Sequence, residues 1–150
     1  MSKPAEFRRP ESVLVVVYTP ALECLLLERV TPAGFWQSVT GTLGWNETAA
    51  DAAAREVREE TGLTPTGLRD SGRSQAFPIL PAWRKRFAPD VKENLEHVWY
   101  LETPEPVAVT LNPAEHTAYE WLPLDAALAR VSSWTNRAAL ERLRSPIERP

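Results

Sequence analysis

The sequence predicts an α/β protein, a mixed β-sheet covered by helices on both faces. Three observations carry this. Apolar and β-branched runs of strand length stand before and after one alanine-rich stretch, and two further helical stretches close the chain. Strands, helix, strands and then helices is an order that covers a sheet on both sides. The 150 residues, 43% hydrophobic and 25% charged, suit one domain, here 1–150, with an ordinary core.

Ser12 to Tyr18 (SVLVVVY) is a β-branched run that reads as a buried strand, and Cys24 to Val30 (CLLLERV) is its hairpin partner across Thr19-Pro20-Ala21. Phe35 to Gly41 (FWQSVTG) is a third strand running into a loop. No Pro or Gly interrupts Glu47 to Thr61, and Ala49, Ala50, Ala52, Ala53 and Ala54 are the strongest helix formers. Gly62 stops that helix because it reaches the left-handed region freely. Thr66 to Arg69 and Arg73 to Phe77 are weaker strands around Asp70-Ser71-Gly72. Glu93 to Glu102 is the clearest later strand, and His116 to Leu122 is another, ended by Pro123. Asp125 to Val131 and Asn136 to Leu143 read as helices, with Thr135 or Asn136 capping the second.

Bulk properties exclude several functions. A net charge of -3 gives no global basic field for nucleic acid. One cysteine, Cys24, rules out an internal disulfide, suits a reducing compartment and, in its apolar run, reads as a buried inert thiol. No apolar run is long enough to span a membrane, and MSKPAEFRRPE lacks the apolar core of a secretory signal. The expectation is a soluble cytoplasmic protein with no nucleic-acid or membrane partner; the sequence carries no signal of oligomeric state.

At 100° per residue, Glu56, Glu59 and Glu60 share one face of the alanine-rich helix, and Ala50, Ala53, Ala54, Val57 and Thr61 form the adjacent face to bury. Arg55 sits one turn before Glu59 and can pair with it. Three carboxylates on one stripe repel, and a divalent cation reverses that sign. Hard oxygen ligands suit Mg²⁺, with Mn²⁺ a possible substitute. Taken alone, REVREE reads as a solvated, salt-bridged helix face.

The full pattern is more specific. Gly41, five residues, Glu47, seven residues and then REVREETGL resembles the Nudix hydrolase signature over residues 41–63. The resemblance implies a Nudix-type α/β/α sandwich and metal-dependent hydrolysis of a polyphosphate. It also implies a carboxylate from outside the helix, for which Glu115 is the candidate. His116 beside it is either an acid or base by its intrinsic pKa or a structural strand-edge residue.

FWQSVTG, EHTAYEWL, SWTNRAA and the opening FRRPESVLVVVY look like segments of the bacterial dihydroneopterin triphosphate diphosphatases. That closer resemblance implies Glu56, Glu60 and Glu115 as Mg²⁺ ligands, with Glu59 beside them. It implies Arg8, Arg29, Thr40 and Ser133 as substrate contacts, and Phe77, Pro78, Ile79 and Leu80 as pocket lining. The implied partner is a small pterin triphosphate. Trp36, Phe77 and Trp83 are the candidates to stack on its ring. Arg84, Lys85 and Arg86, between Trp83 and Phe87, form either an ordinary exposed loop, an electrostatic lip for a triphosphate or a nucleic-acid patch. The alternatives are a Nudix enzyme for a damaged dNTP, another nucleoside triphosphate or a dinucleoside polyphosphate, a binding module without catalysis, and an RNA binder using that basic loop.

Overall fold

The computed structural model describes residues 7–145; the first six residues of the MSKPAEFRRPE stretch lie outside them. Seven strands form one mixed sheet: β1 Glu11–Tyr18, β2 Glu23–Arg29, β3 Trp36–Gln37, β4 Val39–Thr42, β5 Arg69–Pro78, β6 Glu93–Glu102 and β7 His116–Pro123. β1 lies at the centre, parallel to β6 and antiparallel to β2 and β4; β5 continues the sheet beyond β6, and β7 pairs with β2.

Side chains alternate across the strands, so β1 feeds two cores. Val13, Val15 and Val17 pack with Val39, Leu25 and Leu27 against helix α1 (Ala49–Thr61). Leu14, Val16 and Tyr18 pack with Val98 and Tyr100 against α2 (Leu124–Arg130) and α3 (Trp134–Glu141). This is the expected α/β/α sandwich. Among the described residues, no helix is long and apolar enough to cross a membrane.

Four expectations change in detail. Phe35 to Gly41 is two short strands: the chain leaves β2 as β3 and joins β1 as β4, changing partner at Ser38. Asn136 holds that switch, its Oδ1 accepting from the Ser38 N–H at 2.7 Å and its Nδ2 donating to Ser38 Oγ at 2.9 Å. Of the two weak strands expected after α1, Thr66 to Leu68 is turn and loop, closed by the Leu68 N–H on the Pro65 carbonyl, and only Arg69 joins Arg73 to Phe77 in one strand, β5, with a bulge between Asp70 and Arg73 that Gly72 turns at φ 71°. The α3 cap is Ser133, whose side chain accepts from the Asn136 N–H, so neither Thr135 nor Asn136 caps it. Finally, α1 begins at Ala49 behind the cap Thr48, and its buried face carries Ala52, Glu56 and Glu60 with Ala53, Val57 and Thr61, while Ala50 is exposed.

Candidate active site

A cavity of about 720 Å³ opens over the β4 end of the sheet. One wall is α1. Arg55 organises it: its guanidinium donates from Nε and Nη2 to the two oxygens of Glu47, from Nη1 to Glu56 and Glu59, and from Nη2 to the Thr42 carbonyl. Arg55 therefore orients more than Glu59 alone. Glu47 also accepts from the Gly44 N–H at 2.9 Å, which ties the loop to the helix. The Arg55 contacts hold the Glu47 carboxyl down at about 2.

Glu56 lies across Gly41, and any Cβ at that position would overlap the Glu56 carboxyl. Glu60 sits deeper, 1% exposed, and its oxygens lack a well-formed hydrogen bond: the Thr40 N–H offsets its burial only weakly, and His116 Nε2 lies 3.7 Å from Oε1. Burial, and then the Glu56 carboxyl, push its pKa well above the ordinary carboxylate range. Among the described residues, no three Asp, Glu, His or Cys side chains converge on one point as they stand. Glu56 is drawn to Arg55 at 2.6 Å, Glu59 is exposed, and Glu115 stands on the loop before β7. Two buried carboxylate oxygens short of donors, beside further carboxylates, are nonetheless a donor set that fits a hard divalent cation.

The opposite wall is cationic. Arg8 and Arg29 line it with Arg86 from the 3-10 turn Pro81–Arg86, whereas Arg84 and Lys85 do not. Burial and then mutual repulsion, chiefly from Arg86, lower the pKa of both Arg8 and Arg29. Arg29 lies over the Trp83 ring at 5.5 Å, and Arg8 reaches Thr42 Oγ1 at 3.4 Å. Thr40 lines the cavity but gives its hydroxyl proton to the Val13 carbonyl. His116 is 3% exposed, with Nε2 at 3.3 Å from Gln37 Nε2. Burial, then Arg29, push its pKa down to about 4, so it is neutral near pH 7 and a poor general acid.

The structure brings Glu56, Glu59, Glu115, Arg8, Arg29, Thr40, Ser133, Phe77, Pro78, Ile79 and Leu80 to this one cavity, with Glu60 behind it. Phe77 and Trp83 line it; Trp36 does not, packing instead under Arg130 at 4.9 Å. Sequence reasoning missed the floor. Ser12, Asn94 and Glu96 are buried polar residues there, and Trp134 stands at the rim, 56% exposed. The signal was available in β6: Asn94 and Glu96 occupy the same alternate positions as the core residues Val98 and Tyr100.

The NUDIX domain model matches residues 8–143. The dihydroneopterin triphosphate diphosphatase of Escherichia coli K12 is 40% identical over 140 residues, which is 90% of this chain and 92% of that one. The Haemophilus influenzae protein of the same name is 33% identical, covering 91% of this chain and 89% of its own. The solved E. coli dihydroneopterin triphosphate pyrophosphohydrolase superposes with a TM-score of 0.86 at 38% identity, over 93% of this chain and 99% of that one. With its glutamate helix, its sandwich and these matches in agreement, the chain belongs to the Nudix family.

Proposed function

We propose that this protein hydrolyses dihydroneopterin triphosphate to dihydroneopterin monophosphate and pyrophosphate, a step toward folate, in the cytoplasm. The observation that carries the reading is the composition of the cavity. Glu56 and Glu115 act on Arg8, and Glu60 and Glu115 on Arg29, with Trp83 beside Arg29, while Phe77 and the buried polar groups Ser12, Asn94 and Glu96 line the strands β5, β1 and β6. A triphosphate needs the first set and a flat heterocycle the second. The named activity of relatives at 40% and 33% identity supports the same substrate.

Glu56, Glu59, Glu60 and Glu115 are the residues that would hold Mg²⁺, or Mn²⁺ in its place. Bound there, the ion supplies a Lewis acid for the phosphoryl oxygens and lowers the pKa of water. The chain's own groups do the rest. Arg8 and Arg29 hold phosphate oxygens, as planar forked donors suited to them, and Arg86 adds charge at the lip. Glu115, at the cavity surface, either completes that cation site or takes the proton of the attacking water. Arg55 and Glu47 keep the carboxylates aimed. Phe77, paired with Asn94 on the floor, flanks the ring, Trp83 backs Arg29, and Ser133 closes the far wall from the start of α3.

The test is a substrate panel at equal concentration with product analysis. Dihydroneopterin triphosphate is expected to be turned over fastest, giving the monophosphate and pyrophosphate. Stepwise release of single phosphates, or faster turnover of a damaged dNTP or a dinucleoside polyphosphate, would overturn the reading.

A further inference from the structure

The phosphate chemistry has no use for Glu96, yet the cavity floor is built around it. The strand register places Thr42, Ser12, Glu96 and Gln75 side by side across β4, β1, β6 and β5. Two strand spacings, about 10 Å, separate Thr42 at the phosphate wall from Glu96. A bicyclic ring and its short linker fill such a span. Glu96 is 5% exposed. Gln75 Nε2 lies at 3.5 Å from its Oε1, and Thr135 from α3 also hydrogen-bonds it. Next to it, Asn94 gives Nδ2 to Ser12 Oγ at 2.8 Å. A carboxylate buried on the floor of a ligand cavity is costly unless a ligand brings donors to it.

We propose that Glu96 is the residue that selects the ring: its carboxylate pairs with the adjacent N3–H and 2-amino donors of a 2-amino-4-oxopyrimidine edge, the edge a pterin presents. The assignment rests on the cavity being the triphosphate site described above. Two parallel N–H donors meeting two carboxylate oxygens is the strong bidentate geometry. Adenine presents one donor and one acceptor at its pairing edge, which matches a protonated carboxyl instead. Burial pushes the Glu96 pKa up to about 7, against the Thr135 and Gln75 hydrogen bonds, so both forms exist at working pH. The groups facing it across the row are uncharged: Ser12 from β1, Gln75 from β5 and Thr135 from α3. Arg8 reaches only the Thr42 end.

The discriminating quantity is the ratio of kcat/KM for dihydroneopterin triphosphate to that for dATP, because effects on the shared phosphate and metal chemistry cancel. The ratio is expected to rise at least about tenfold between pH 6 and pH 8 in the wild type, following the ionisation of Glu96. Glu96→Gln is expected to lower it about tenfold or more at pH 8, mostly through the pterin KM, and to flatten its pH dependence. Glu96→Asp, which keeps the charge but withdraws it, moves the ratio the same way by less. A purely structural tie between β6 and α3 predicts that both substrates fall together, and that result overturns the proposal, as does a ratio that does not change with pH. If the wild type fails to hydrolyse dihydroneopterin triphosphate, the substrate reading fails by itself. The ratio of dGTP to dATP then tests Glu96, because guanine carries the same edge, and it must show the same pH rise in the wild type and none in Glu96→Gln.

Discussion

Arg55 grips Glu47 with two parallel contacts, Nε to Oε2 at 2.8 Å and Nη2 to Oε1 at 2.9 Å. The pair joins the loop that begins at Gly41 to the helix that carries the carboxylates. Lys cannot make the fork, because an ammonium is a point donor. Arg55→Lys is expected to lower kcat about 10–100-fold with little change in KM, through misaimed Glu56 and Glu59. Glu47 has its folded pKa depressed to about 2 from 4.5. Its contribution to stability is therefore complete above pH 4.5 and lost as pH falls through 2. Melting curves of Glu47→Gln should approach those of the wild type across that acid window; a constant gap between them would refute the pairing.

Glu60 destabilises the metal-free protein, and the proposed cation site would reverse that. Its folded pKa is raised above the unfolded value, so metal-free stability falls as pH rises past the ordinary carboxylate range. Glu60→Gln should melt higher than wild type in EDTA at pH 8. Saturating Mg²⁺, at about 100 times Kd, adds about 2.7 kcal/mol to the wild type and far less to the variant. Turnover of the variant is expected to fall more than about 100-fold. Near-normal activity would remove Glu60 from the metal site.

Glu96 has the same sign and a narrower window. With the folded pKa at about 7 and the unfolded value near 4.5, the native state keeps a proton that the unfolded chain has lost. Stability then declines between pH 4.5 and pH 7, by an amount on the order of 3 kcal/mol at most. Glu96→Gln should abolish that part of the decline, exceeding the wild type at pH 8 and converging with it near pH 4.5. Urea unfolding at the two pH values measures it.

Asn136 carries the geometry of the partner switch. Removing its side chain leaves the buried Ser38 N–H and Oγ without their partner. Asn136→Ala is expected to cost about 2–4 kcal/mol in urea unfolding, one unsatisfied donor plus a lost side-chain bond. Asn136→Asp retains an acceptor for the Ser38 N–H but supplies no amide donor, and should fall between.

The difference between what the sequence shows and what it hides lies in the range of the contacts. Glu56, Glu59 and Glu60 are legible because a helix sets their relative positions within five residues, and Gly62 marks its end at φ 72°. The switch at Ser38 depends on Asn136, 98 residues away, and no local propensity encodes it. Glu96 joins Ser12 and Gln75 only through the β1–β6–β5 register; the alternation of β6 marks it as inward-facing but does not say what it meets. Asn136 reads as a cap because Asn is a good one; the fold uses it elsewhere, and Ser133 takes the role.

Gly41 offers the cleanest separation of site from scaffold. The Cβ of an alanine there would overlap Glu56 from its carboxyl to Cγ, so that side chain must swing away from Arg55, while Gly41 has no left-handed φ that an alanine would strain. The substitution also reduces the freedom of the unfolded chain, worth about 0.4–1 kcal/mol in favour of folding. Gly41→Ala is therefore expected to keep its melting temperature within a few degrees while turnover falls about 10–100-fold and the Mg²⁺ requirement shifts to higher concentration. Gly44→Ala is the control from the same loop. Its Cβ would meet Glu47 Cβ at 3.6 Å, an ordinary contact, and activity should stay within about twofold. Equal losses at both positions would mean that the loop backbone, and not the seat of Glu56, is what Gly41 protects.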